Sequence, residues 1–110
     1  MTFEHTQLAS GRWRELPFVH QMANVGSEVD RTIRWKNKGN ADFSRRAFDR
    51  SLELLDLTID DAKNKKRLRE IVRVREALAD FFAFDNVYRS TDAFWQKYFY
   101  GFAMAARRDR

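Results

Sequence analysis

The chain of 110 residues contains no cysteine, one proline and only four glycines. The lack of cysteine excludes disulfide bonds and zinc sites with cysteine ligands. Sheet proteins of this size need many turns, and turns draw heavily on proline and glycine. The scarcity of both residues, in a sequence that is 34% charged, favours long helices. We therefore predict an all-α fold.

Long apolar runs are also missing from this sequence. No stretch approaches the roughly 18 apolar residues of a membrane-spanning helix. The first residues do not combine a basic segment with a following apolar one, as a secretory signal does. We therefore expect a cytoplasmic protein that has no contact with a membrane.

The residue patterns of common active sites are absent as well. There is no glycine-rich phosphate loop, no paired-histidine metal motif and no cysteine nucleophile. The two histidines, His5 and His20, lie near the beginning of the chain, and we expect neither to bind a metal. Glu53, Asp56 and Asp60 share one helical face, which we interpret as a solvated surface. These patterns predict no catalytic residues, no metal and no cofactor.

Apolar residues recur at spacings of three and four along most of the chain, as they do in amphipathic helices. Residues 1–16 show no such period, so we predict an extended or partly disordered N-terminal arm, held to the body by Trp13 and Leu16. Residues 17–110 are predicted to form an up-and-down antiparallel four-helix bundle. Its helices are expected over residues 17–38, 41–60, 64–84 and from Ser90 or Thr91 to 107.

Small residues mark two features within this pattern. Gly39 and Asn40 are typical of a helix end followed by the cap of the next helix. Gly26 lies within the apolar stripe of the first predicted helix, where it would allow another helix to approach closely. A seam of small polar residues runs along the second predicted helix and favours close packing there: Ser44, Ser51 and Thr58.

Charge is unevenly distributed along the chain. Residues 41–62 carry three net negative charges, and residues 63–84 carry four net positive charges. Lys66, Arg69 and Arg73 align on one face of the third predicted helix, while Glu76 and Asp80 continue that face and would interrupt its positive field. We favour a solvated face or ion pairing between subunits, and we keep phosphate binding as an alternative.

Arg75 differs from these cations because it interrupts an apolar stripe. A buried guanidinium needs a partner, since an unpaired buried charge is very costly. We expect an ion pair with Glu28, or with Asp49 and Glu53. An anion-binding pocket around Arg75 is the alternative hypothesis.

Aromatic residues make up 15% of the chain. On the third predicted helix, a second apolar strip lies away from the main stripe, and a bundle has only one interior. This strip therefore needs another cover, either the N-terminal arm with Trp13 or a second subunit. Large apolar patches usually mark interfaces. We therefore predict a homodimer through the third and fourth helices, with these interface residues: Val74, Phe81, Phe84, Trp95, Tyr98 and Phe102.

Residues 35–59 resemble a single tetratricopeptide repeat. Trp35 and Gly39 match the tryptophan and glycine of its first helix, and Phe43 and Phe48 match its aromatic positions. Arg46 stands where the repeat usually has its turn glycine. Arrays of this family need about three repeats to bury a core, so the resemblance implies a similar helical hairpin rather than a peptide-binding array.

The whole chain also resembles small prokaryotic helical proteins that lie near the HEPN group of helical domains. This resemblance rests on ELPFVHQMANVGSEV and RAFDRSLELLDLTI, and it implies a helical fold and dimerisation. Many HEPN members are nucleases whose motif places a histidine four to six residues after an arginine near the last helix. The last predicted helix has Arg107 but no histidine, and Arg14 and His20 form the only pair at that spacing.

Three functions follow as hypotheses. The leading one is a non-enzymatic helical module that acts by protein–protein association as a homodimer. The second is an RNA- or DNA-binding protein that uses the basic face of the third helix. The third is a HEPN-like nuclease or toxin–antitoxin component.

Overall fold

The computed structural model describes residues 6–108, and it describes side chains from residue 11 to residue 108. Within these residues the chain forms five α-helices and one 3₁₀ segment, with no strand. The helices are α1 (Thr6–Glu15), α2 (Phe18–Asn37), α3 (Ala41–Ile59), α4 (Leu68–Ala83) and α5 (Asp92–Arg108), and the 3₁₀ segment is Ala62–Arg67. The predicted all-α class is confirmed.

The N-terminal region differs from its prediction. Residues 6–15 form the helix α1 instead of an extended arm, whereas residues 1–5 lie outside the described part of the chain. The predicted contact through Trp13 is confirmed, because its side chain is buried in the core and its indole N–H donates to Thr58 Oγ1 at 2.9 Å. The spacing of apolar residues did not predict α1, because this short helix contains few apolar residues.

The helix ends follow the predicted capping residues. Gly39 adopts a left-handed conformation, with φ of 78°, directly after α2. The Asn40 side chain then accepts a hydrogen bond from the Phe43 amide at 3.0 Å, which caps α3. Thr91 Oγ1 accepts from the Phe94 amide at 3.0 Å at the start of α5. The third predicted helix is divided, since residues 62–67 are 3₁₀ and α4 begins at Leu68.

Helix α2 packs closely against both α3 and α5, while α4 packs against α3. Ser51 and Thr58 are fully buried on α3, and Ser44 Oγ donates to the Thr32 carbonyl of α2 at 2.9 Å. The predicted seam of small polar residues is therefore present. In the described part of the chain, α4 and α5 are not among the helix pairs whose backbones approach closely.

Candidate functional site

A groove of about 750 Å³ lies between α4 and α5, next to residues 84–91 that connect them. This volume falls within the range of known ligand and docking pockets. Most of its accessible wall is apolar. The apolar and aromatic residues of the wall are Val74, Ala77, Tyr88, Phe94, Trp95 and Tyr98.

The connection beside the groove is held in shape by Asp80. This carboxylate is buried near the end of α4 and accepts hydrogen bonds from the Val87 amide at 2.8 Å and the Tyr88 amide at 3.0 Å. The Asn86 side chain accepts from the Ser90 amide at 2.8 Å and donates to the Ser90 carbonyl at 3.0 Å. Because its backbone is bonded at both ends, the connection presents its side chains in a defined arrangement.

Large apolar side chains protrude into solvent on this connection and at the adjacent start of α5. Phe84 is 75% exposed, Val87 is 74% exposed, Tyr88 is 63% exposed and Phe94 is 53% exposed. Exposed apolar residues scattered singly need no explanation, but a contiguous group beside a groove is typical of an interaction surface. We call these four residues, together with the groove, the α4–α5 surface.

The predicted interface residues occupy different environments. Val74 and Trp95 are buried within the chain, and we correct their assignment to an exposed interface. Phe81 packs on Phe82 with ring centroids 4.7 Å apart, and Phe102 packs edge-on against Phe18 at 5.7 Å, so both are only partly accessible. Of the six predicted residues, Phe84 is the one that is mostly exposed.

Three exposed residues were missed by the sequence prediction: Val87, Tyr88 and Phe94. Val87 and Tyr88 lie in a connection, where no helical period assigns a face. Phe94 lies on α5 with its ring centre 5.0 Å from that of Trp95, but more than half of it is exposed. The sequence contains one indication of this exposed surface, which is the presence of aromatic residues in a connection that also contains Asn and Ser.

Tyr98 joins the two helices across the groove. Its hydroxyl donates to the Glu70 carboxylate of α4 at 3.0 Å. Burial and then the hydrogen bond and negative charge of Glu70 raise the pKa of the Tyr98 hydroxyl well above its ordinary value. Tyr98 is therefore a hydrogen-bond donor at neutral pH and part of the groove wall, rather than an acid or base.

The rim of the groove carries charges of both signs. Arg73 and Glu76 come from α4, and Arg89 comes from the connection. All three side chains are exposed, and none forms an ion pair with another residue in the described range 6–108. These charges are available to a partner.

Lys66, Arg69 and Arg73 are exposed along the 3₁₀ segment and α4, as the sequence predicted. Arg75 is separate from them, because its guanidinium is directed toward α3. There its Nε donates to Asp56 Oδ1 at 2.6 Å and its Nη2 donates to Oδ2 at 3.2 Å. The expected ion pair exists, but its partner is Asp56, which corrects the predicted partners Glu28 or Asp49 and Glu53.

A cluster of buried polar side chains, the polar cluster, lies where α1, α2, α3 and the 3₁₀ segment meet. The buried Gln21 side chain donates to the Trp13 carbonyl and to Asp61 Oδ2, both at 2.9 Å, and accepts from Asn64 Nδ2 at 2.8 Å. Asn64 also donates to the Thr58 carbonyl at 2.9 Å. Because these buried groups form hydrogen bonds with one another, the cluster holds α1 against α2, α3 and the 3₁₀ segment.

Asp61 supplies the negative charge of this cluster. Burial by itself raises the pKa of the Asp61 carboxyl, but hydrogen bonds from the Lys63 ammonium, Gln21 and the Lys63 amide, with the charge of Lys63, lower it by more. The net pKa of Asp61 lies below its ordinary value. The carboxylate is thus held ionised by its partners, as expected for a structural ion pair.

Within the described residues, no three histidine or acidic side chains are grouped closely enough to hold a metal ion. None of the described helices is both long and apolar enough to cross a membrane. Comparisons with protein-family models, curated proteins and solved structures found no match to the chain. The tetratricopeptide and HEPN resemblances therefore stay predictions.

Proposed function

We propose that this chain is a non-enzymatic helical module that acts by protein association, and that it forms a homodimer through the α4–α5 surface. The observation that supports this proposal is the group of exposed apolar side chains beside the groove. Phe84, Val87, Tyr88 and Phe94 would remain in water in a monomer. Burying a side chain of this size stabilises an interface by about 1.5–3 kcal/mol.

An up-and-down antiparallel bundle of α2–α5 is part of the proposal. In it, α2 and α3 form one side, and α4 and α5 form the other. The close packing of α2 with α3 and α5, and of α3 with α4, supports this order. The α4–α5 seam is then the open side of the bundle, and a second copy would close it.

The shape of the α4–α5 surface supports a second copy as the partner. An isologous interface requires a patch that complements itself, because the same residues face each other across a two-fold axis. Here a protrusion, formed by Val87 and Tyr88, lies next to a groove whose wall includes Val74 and Ala77. In such a dimer, the protrusion of each copy enters the groove of the other.

The rim charges are also self-complementary. Glu76 of α4 and Arg89 of the 84–91 connection both line the groove and carry opposite charges. A two-fold axis through the groove would bring Arg89 of one copy toward Glu76 of the other. Opposite charges at the rim of an interface set its register and speed association more than they add affinity.

The non-enzymatic part of the proposal rests on the arrangement of the arginines and histidines. A HEPN-like nuclease needs an arginine and a histidine free to act together on a phosphate. Arg14 is directed toward Asp60, to which its Nη2 donates at 3.2 Å, and α5 contains no histidine. This arrangement supports association over nucleic-acid cleavage.

Two tyrosines provide a matched test. Tyr88 and Tyr100 are each 63% exposed, but Tyr88 lines the groove and Tyr100 lies on α5 at the α2–α5 seam. We expect light scattering to give twice the chain mass for the wild type and for Tyr100→Ser at micromolar concentration. Tyr88→Ser is expected to raise the dimer Kd roughly thirtyfold, because central aromatic residues contribute about 2 kcal/mol.

The proposal would be overturned by a wild-type protein that stays monomeric across the micromolar range. It would be overturned equally if Tyr88→Ser and Tyr100→Ser changed the dimer Kd by the same factor. Circular dichroism of both variants verifies that neither substitution alters the helical fold.

A further inference from the structure

We infer that Lys66, Arg69 and Arg73 form a binding site for the phosphodiester backbone of a nucleic acid. These three residues, which we call the basic ridge, are exposed at spacings of three and four from the 3₁₀ segment into α4. The inference concerns a different activity from the dimerisation proposed above. It rests on a difference between nearby charged side chains. Some form ion pairs within the described residues, and others are exposed without an ion pair.

The cations of the basic ridge are available to a ligand. All three side chains are exposed, and none forms an ion pair with another residue between 6 and 108. The neighbouring cations are used differently. Lys63 is paired with Asp61, and the Arg67 guanidinium lies 4.5 Å from the centre of the Phe18 ring. Lys63 and Arg67 thus contribute to the fold, whereas the ridge cations and the neighbouring Lys65 are exposed.

The carboxylates near the ridge are directed elsewhere. Asp61 is buried in the polar cluster, and Asp56 of α3 is bound to Arg75 on the inner side of α4. The sequence predicted that Asp80 would interrupt the ridge, but its carboxylate is buried and accepts the amides of the 84–91 connection. This placement removes one of the two expected interruptions, Asp80, whereas Glu76 remains exposed.

Two carboxylates of α4 remain beside the ridge. Glu70 accepts the hydrogen bond from Tyr98, which directs its carboxylate toward α5 and the groove. Glu76 is exposed three residues after Arg73, and both residues line the groove. The segment from Lys66 to Arg73 therefore presents three cations with no exposed carboxylate directed across them.

The spacing of the ridge suits an extended phosphate chain. The rise of an α-helix is about 1.5 Å per residue, so Arg69 and Arg73 lie about 6 Å apart along the axis. Phosphate contacts of this kind carry no base information, and no aromatic residue lies on the ridge to stack on a base. The site is expected to bind without sequence preference and with strong salt dependence.

Fluorescence anisotropy with labelled single-stranded RNA tests the inference, with double-stranded DNA as a second arm. Three phosphate contacts on a single strand predict a slope of about −2 for log K against log salt. Affinity should therefore fall roughly twentyfold when salt rises from about 50 to about 200 mM. Lys66→Glu/Arg69→Glu/Arg73→Glu is expected to abolish this binding.

A control variant with the same change in net charge is Arg34→Glu/Lys38→Glu/Lys97→Glu. Its three residues are exposed on α2, directly after α2 and on α5, and none lies on the 3₁₀ segment or the helix that carries the ridge. Both triple variants lose three positive charges and gain three negative charges, so both lower the net charge by six. The control is expected to keep at least about a third of the wild-type affinity, because bound phosphates are screened from distant charges beyond about 10 Å.

The inference is supported if the ridge variant loses binding and the control retains it, with either RNA or DNA. It is overturned if neither nucleic acid binds at about 50 mM salt. Equal losses in the two variants would also overturn it, because net charge alone would then explain binding. Tighter binding to vesicles of anionic lipid than to either nucleic acid would overturn it in favour of a membrane surface.

Discussion

Gly26 of α2 lies so close to Phe99 of α5 that a Cβ atom on Gly26 would stand 2.6 Å from the Phe99 Cβ. Real Cβ atoms do not approach side chains at this distance, so the two helices pack together only because residue 26 has no side chain. Trp95 and Phe99 of α5 are both buried against this seam. The position of α5, and hence the shape of the groove beside it, depends on this contact.

Gly26→Ala is therefore expected to destabilise the protein. The added methyl group forces Phe99 or α5 to move, which costs about 1–3 kcal/mol and exceeds the gain of about 1 kcal/mol in helix propensity. Gly101→Ala is the matched control, because Gly101 is also helical and a Cβ there would meet nothing within 4 Å. Urea unfolding should show opposite signs for the two substitutions, and a stabilised Gly26→Ala variant would contradict the contact.

The polar cluster around Gln21 gives a second prediction. Gln21→Ala removes three buried hydrogen bonds and leaves Asn64 and Asp61 with fewer partners. We expect a loss of about 2–4 kcal/mol in the free energy of unfolding. Gln96→Ala, at an exposed position of α5, should change it by less than about 0.5 kcal/mol. Equal effects in chemical denaturation would show that the cluster does not stabilise the fold.

Asp61 predicts how stability depends on pH. Its folded pKa lies below the ordinary value of 3.8, so its stabilising contribution is complete above that value and is lost as pH falls through the folded pKa. Asp61→Asn should reduce stability by about 1–3 kcal/mol at neutral pH. The difference from wild type should shrink as pH falls below 3.8.

Asp60→Asn is the control for this pH dependence. Asp60 is adjacent in sequence, but it is exposed and pairs with Arg14 on the surface. Exposed ion pairs contribute less than about 1 kcal/mol. A loss of stability in Asp61→Asn that persisted unchanged down to about pH 2 would contradict the assigned direction of the Asp61 pKa.

Tyr98 makes a prediction at the other end of the pH range. The tyrosinate absorbance lost in Tyr98→Phe should titrate above about 10, the ordinary tyrosine pKa. Since the folded pKa is raised, the contribution of Tyr98 to stability is present below that value and is lost as pH rises through the folded pKa. Glu70→Gln should lower the pKa of Tyr98 by removing a negative charge. A Tyr98 component that ionises below pH 10 would contradict the Glu70 contact.

Local features of the fold could be predicted from sequence because their causes are local. Gly39, Asn40 and Thr91 act within one helical turn, so their residue types alone indicate where helices end and begin. The spacing between Ser51 and Thr58 alone places both residues on the same face of α3, where they are buried. In each case, the physical reason lies within about seven residues of the chain.

Features that join distant segments could not be predicted in the same way. Gln21 meets Asp61 and Asn64 across about forty residues, and each of these polar residues alone is typical of an exposed position. The sequence showed that Arg75 needs an acidic partner, but several acids share the facing side of α3, and only the packing selects Asp56.

The candidate site required the packing as well. Val74 and Trp95 were predicted to lie at an interface, yet the packing buries both within the chain, at the base of the α4–α5 groove. Asp80 shares a helical face with the basic ridge but turns its carboxylate into the following connection. The resulting connection exposes Val87 and Tyr88, which the helical spacing of apolar residues could not predict.

The central claim is that two copies meet through their α4–α5 surfaces, and a distance between the copies tests it most directly. The chain has no native cysteine, so single spin labels can be placed at Arg89→Cys on the groove rim or at Arg46→Cys on the α2–α3 side. The proposed dimer predicts a clearly shorter distance for label pairs at residue 89, beside the interface, than for label pairs at residue 46. Equal distances, a shorter distance at residue 46, or no dipolar coupling at residue 89 would contradict it.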